Sequence, residues 1–141
     1  MSKQVLSIEQ MEHLQELGLD TRNASMCHII DDSSNIIYNI PTDNVKSKKI
    51  INFFIKKVIH VYTIQDILDM LPIEIEKPDG CTWYASLYID FENNRIAYGN
   101  TDRYGFEVYH EIMIEKDLID AAYEMLCWAI ENKFVETNKN E

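Results

Sequence analysis

The chain has 141 residues, 46% of them hydrophobic and 26% charged, the composition of one globular domain that buries enough apolar surface to need no disulfide or metal staple. Thirteen basic against twenty-four acidic residues leave a formal charge of −11, which disfavours direct contact with nucleic acid or an anionic membrane surface. Cys27, Cys81 and Cys127 form neither a disulfide framework nor a zinc motif, and no stretch has the length and apolarity of a signal peptide or membrane span, so a cytoplasmic setting is expected.

The first element is a helix over about 8–17. Ser7 stands at its N-cap with Gln10 three residues on, Gly18 ends it, and Ile8, Met11, Leu14 and Leu17 make one apolar stripe. Two apolar runs between Ser25 and Ile40 flank the turn-forming cluster Asp31-Asp32-Ser33-Ser34-Asn35 and predict a hairpin. Residues 46–62 carry a helical stripe but strand-like composition, and read as a strand followed by a loop. Thr63 and Asp66 open a second helix that Pro72 stops.

After Pro78-Asp79-Gly80 the chain alternates strictly. Trp83, Ala85, Leu87, Ile89 and Phe91 point inward, whereas Tyr84, Ser86, Tyr88 and Asp90 point outward. A turn at 92–94 leads back through 95–100, giving a second hairpin, with a further strand over 106–114. The last helix, about 116–133, has only Asp120 and Glu124 charged between Leu118 and Ile130, so most of its sides must be covered. The expected fold is α+β, with two antiparallel hairpins forming a sheet packed by three helices and the C-terminal helix largely buried. Residues 1–136 make a single domain and 137–141 a polar tail.

Signatures of catalysis are sparse. The glycines are too scattered for a phosphate cradle, no Gly-x-Ser-x-Gly elbow exists, and His110-Glu111 lacks the second imidazole that a zinc-protease helix needs at position 114. Cys27 and His28 are adjacent, but neighbours along a strand face opposite ways, so Cys27 reads as a core residue and Cys127 likewise. The acids at Asp31-Asp32 with Asp43, and at Asp90 with Glu92, read as turn formers. No cofactor or metal is expected.

Two surface features point elsewhere. The outward Tyr84 and Tyr88, with Tyr98 and Tyr104 expected beside them, make a tyrosine group of the kind enriched in recognition sites, the alternative being cross-strand pairs that only stabilise the hairpin. Lys46, Lys48, Lys49, Lys56 and Lys57 concentrate basic charge and read as guards of an edge strand, with a docking patch as the alternative.

The stretches VLSIEQMEHLQELGLDTRNASMC, YTIQDILDMLP and LIDAAYEMLCWAIENKF with its TNK tail resemble a group of short uncharacterised proteins of anaerobic gut bacteria, often encoded near prophage or other mobile elements. The resemblance implies a bacterial cytoplasmic setting and transfers no catalytic residue. The expected function is a non-enzymatic accessory or protein-interaction role, with a protein partner or a second copy of the chain as its target. Two alternatives are an acidic decoy of nucleic acid that binds a basic partner, and a small-molecule enzyme using His28, His60 or His110 with a carboxylate.

Overall fold

The structure, a computed structural model, describes residues 3–31, 33, 35–43, 57–76, 84–101, 104, 105 and 107–137. It is an α+β fold. Its described elements are α1 (Ile8–Glu16), a 3-10 turn (Thr21–Asn23), β1 (Met26–Ile30), β2 (Ile36–Pro41), β3 (Lys57–Val61), α2 (Ile64–Met70), β4 (Glu74–Glu76), β5 (Tyr84–Asp90), β6 (Arg95–Thr101), β7 (Glu107–Ile114) and α3 (Leu118–Glu131).

Both short helices begin where their capping residues dictate. Ser7 Oγ accepts the Gln10 N–H while Gln10 Oε1 accepts the Ser7 N–H, and Gly18 takes a φ of 105° just past the end of α1. At α2, Thr63 and Asp66 exchange the same pair of bonds, and the Asp66 carboxylate also accepts from Ser25 N–H and Oγ–H at the entry to β1. One carboxylate thus starts a helix and anchors a strand.

The hairpins lie in two different sheets rather than in one. The first sheet has the order β2-β1-β3 and the second β4-β5-β6-β7, every pair antiparallel. Each hairpin recruits its own neighbours: β3 pairs with the free side of β1, while β4 and β7 flank β5–β6. Within residues 46–62 the described strand, β3, falls at the end of the segment; Lys46, Lys48, Lys49 and Lys56 lie outside the described residues, and Lys57 is exposed. The turn between β1 and β2 is held by Asp31, whose Oδ1 accepts from Ser33 N–H and Asn35 N–H.

One apolar cluster joins all three helices to both sheets, drawing on Leu14, Val61, Ile67, Ile96, Met125 and Leu126, each essentially inaccessible. Burying a side chain of this size contributes about 1.5–3 kcal/mol. On α3, eight residues are buried, from Ile119 to Ile130, and its Trp128 ring lies 5.9 Å from that of Tyr98 and 5.4 Å from that of Phe134. Two polar ties hold α1 to α3. Asp120 Oδ1 accepts from Lys3 Nζ at 2.8 Å and from Gln10 Nε2 at 2.9 Å, and His13 Nδ1 shares a 2.5 Å hydrogen bond with the Tyr123 hydroxyl. No helix among the described residues is long and apolar enough to cross a membrane.

Candidate functional site

Strand pairing decides which side chains share the outer face of the second sheet, because directly opposed residues point the same way. Tyr88 opposes Ala97, which opposes Ile112; Asp90 opposes Arg95, which opposes Ile114; and beyond a bulge at Tyr98/Gly99, Gly99 opposes Tyr109. The face opposite α3 therefore carries Tyr84 and Tyr88 on β5, Tyr109, Ile112 and Ile114 on β7, and two small residues, Ala97 and Gly99, beside Arg95 on β6 between them.

Both small residues are buried despite facing outward. At Gly99 a Cβ would stand 2.8 Å from Tyr109 Cδ1 and 2.5 Å from the Val108 carbonyl oxygen, so the Tyr109 ring lies over the glycine and occupies the space a side chain would need. Tyr88 meets Tyr109 edge to face at 6.4 Å, and the Arg95 guanidinium sits 5.6 Å over the Tyr109 ring. Arg95 Nη2 also donates to Asp90 Oδ2 at 3.1 Å. Cation over ring and cation to carboxylate meet in one place.

An open groove of about 410 Å³ runs across this cluster, lined by Tyr88, Asp90, Phe91, Glu92, Arg95 and Tyr109 among others. Asp90 is saturated: beyond Arg95 it accepts from Glu92 N–H, Asn93 N–H and the Asn93 amide. These bonds, the Asn93 side chain first, hold its carboxyl below the ordinary value, with the Arg95 charge adding to the effect. Phe91 is 70% exposed, and the exposed Glu92 carboxylate makes no hydrogen bond or ion pair with the described residues. The expectation that Phe91 faces inward fails because β5 ends at Asp90 and Phe91 belongs to the turn, where strand alternation no longer applies. Trp83 lies outside the described residues.

The four tyrosines singled out in the sequence divide. Tyr84 and Tyr88 share the outer face of β5, about 13 Å apart along the strand. Tyr104 is exposed in the turn before β7. Tyr98 does not join them: it is fully buried on the inner face, its hydroxyl donates to the Pro72 carbonyl at 2.7 Å, and burial raises its phenol above the ordinary value. The reason is register. Tyr98 shares parity with Ile96, and both face α3, whereas Ala97 and Gly99 face out. Tyr109 and Arg95, absent from the sequence-based group, complete the cluster; the cue was their opposition to Gly99 and Asp90, which becomes visible once the hairpin register is known.

The histidines proposed for chemistry are placed as follows. His28 is buried and bonds the Asn39 side chain across the β1–β2 pair. His60 lines a groove of about 280 Å³ that also contacts Glu12, Gln15 and Arg22, and its Nδ1 lies 3.4 Å from Cys27 Sγ across the β1–β3 pair. Cys27 and His28 do face opposite ways, as expected. The imidazole that meets the thiol comes from the neighbouring strand instead. Cys27 is fully buried and also contacts Thr42 Oγ1, whose hydroxyl donates to the Ala24 carbonyl. His110 lies exposed on β7.

A second thiol and imidazole meet between α1 and α3, where Cys127 Sγ is 3.7 Å from His13 Nδ1. Burial pushes the Cys127 thiol up to about 11; Glu124 and Glu131 add to the rise, and a hydrogen bond with Tyr123 opposes it. A thiol so placed stays protonated at neutral pH and is a poor nucleophile. Among the described residues no group of three His, Cys, Asp or Glu side chains has the geometry to hold a metal ion. No family model matches the chain, and no curated protein or solved structure matches it either.

Proposed function

We propose that this protein acts without catalysis, by docking a protein partner on the outer face of its four-stranded sheet. The observation that carries the reading is the open cluster of Tyr88, Tyr109, Phe91 and Arg95 on the side of the sheet that α3 leaves uncovered. Tyrosine and arginine are the residue types that dominate binding energy at protein interfaces, since each combines a large flat surface with a polar group. The aromatic cluster also stabilises the sheet by itself, but that role does not require Phe91 to stand in solvent beside it. The resemblance to short proteins encoded near mobile elements supports a bacterial cytoplasmic setting for that partner and says nothing of the role itself.

The test compares wild-type protein with a Tyr88→Ala/Phe91→Ser double variant as bait in lysate of the source cells, then repeats the measurement with the purified partner. Expected is a saturable partner whose affinity falls about tenfold or more in the double variant. Equal binding by both baits would refute the reading, as would the lack of any saturable partner.

A further inference from the structure

We propose that the groove on the outer sheet face receives an arginine side chain of the partner, its guanidinium stacked on Tyr88 and Phe91 and paired with the Glu92 carboxylate. The proposal rests on the reading of this face as a docking surface and specifies what that surface recognises.

The groove already displays the chemistry on one of its own residues. Arg95 lies over the Tyr109 ring and donates to Asp90 in the same pose, which is how a planar cation satisfies a face and an edge at once. Next to this internal example stand the same two kinds of group with capacity to spare. Tyr88 and Phe91 are exposed, and Glu92 carries a negative charge that no described residue neutralises. Arg95 balances Asp90 alone. A cation entering the groove would therefore meet an aromatic wall and an uncompensated carboxylate.

Net charge selects the occupant. At −11 the chain attracts a basic segment from a distance, whereas two copies of it repel. A second copy is disfavoured further because it has only Arg22, Arg95 and Arg103 to offer, of which Arg22 is held by Asp20 at 2.7 Å and Arg95 by Asp90. Lysine is the poorer ligand for the same groove. Its ammonium is a compact, strongly hydrated point charge without a flat face to stack.

The test uses the whole chain and two blocked octapeptides, one alternating glycine and arginine and the other glycine and lysine, titrated at equal ionic strength by fluorescence anisotropy and by amide NMR shifts. Expected is a preference of about fivefold or more for the arginine peptide, with shifts centred on residues 88–95 and 109. Glu92→Gln, an exposed change in a turn, should weaken arginine-peptide binding about threefold, while Glu9→Gln on α1 removes the same charge and should change it less than about twofold. Equal affinity for the two peptides, or equal effects of the two charge removals, would overturn the proposal and leave bulk acidity as the cause of binding. If a purified partner binds through Tyr88 and Phe91 but neither peptide does, the arginine assignment falls and the docking surface stands. If the arginine preference appears but partner binding ignores both side chains, the docking reading falls by itself.

Discussion

At the scale of single residues, Gly99 is the position at which the outer face tolerates least change. A methyl group there would collide with the Val108 carbonyl, which is backbone and cannot swing aside, as well as with the Tyr109 ring. Gly99→Ala should therefore lower stability by about 1–3 kcal/mol, read as a shift in the denaturant midpoint, although the substitution favours extended backbone elsewhere. Cys127 allows a different measurement. With its thiol raised to about 11, the thiolate fraction stays small until strongly alkaline pH, so its alkylation rate should climb with a midpoint near 11. A free thiol would show a midpoint near the ordinary 9.0. The sign for stability follows. The folded state holds this proton more tightly than the unfolded state, so the contribution is complete below the unfolded value of 9.0 and is lost as pH rises through about 11. Cys127→Ala should flatten the alkaline fall in melting temperature relative to wild type.

At the scale of elements, Asp66 has the widest reach. Its carboxylate accepts from Thr63 N–H at the start of α2 and from both Ser25 donors at the start of β1. Asp66→Ala should cost about 2 kcal/mol, the sum of a lost cap and a lost strand anchor, and Asp66→Asn should recover part of it. Equilibrium unfolding followed by circular dichroism would check both. Half of this was legible in the sequence: Thr63 with Asp66 announced the helix, as Ser7 with Gln10 announced α1, because capping is a local matter of three residues. The tie to Ser25 was not, since it joins positions 41 apart. Strand β4 escaped notice because its three residues are too few to show alternation. Tyr98 was misplaced for a related reason. A strand with apolar residues at Ile96, Ala97 and Tyr98 gives no preference for either face until its partners are fixed, and only then does Ile96 reveal which side is inner.

At the scale of the whole molecule, the α+β class followed from elements that could each be found locally, whereas the division into two sheets depended on which strand edges meet. Electrostatics also belongs to this scale. At −11, salt should screen self-repulsion, so the melting temperature should rise with ionic strength up to roughly 0.15 M, where charges more than about 8 Å apart are largely screened. A flat or falling dependence would show that local ion pairs such as Lys3 with Asp120 outweigh the overall field.

The bonds from α1 to α3 have a consequence for the order of events during synthesis. Lys3 reaches Asp120, Gln10 reaches the same carboxylate, and His13 reaches Tyr123, across separations of 110 to 117 positions. While the ribosome is still translating, α1 can settle against β3 through Met11 and Tyr62, but its bonds to α3 must wait, at about 5–20 residues per second, several seconds more. Until α3 arrives, Ile96 and Tyr98 lack the helix that buries them, and a chain stalled short of Leu118 should be cleaved by added protease faster than the released chain.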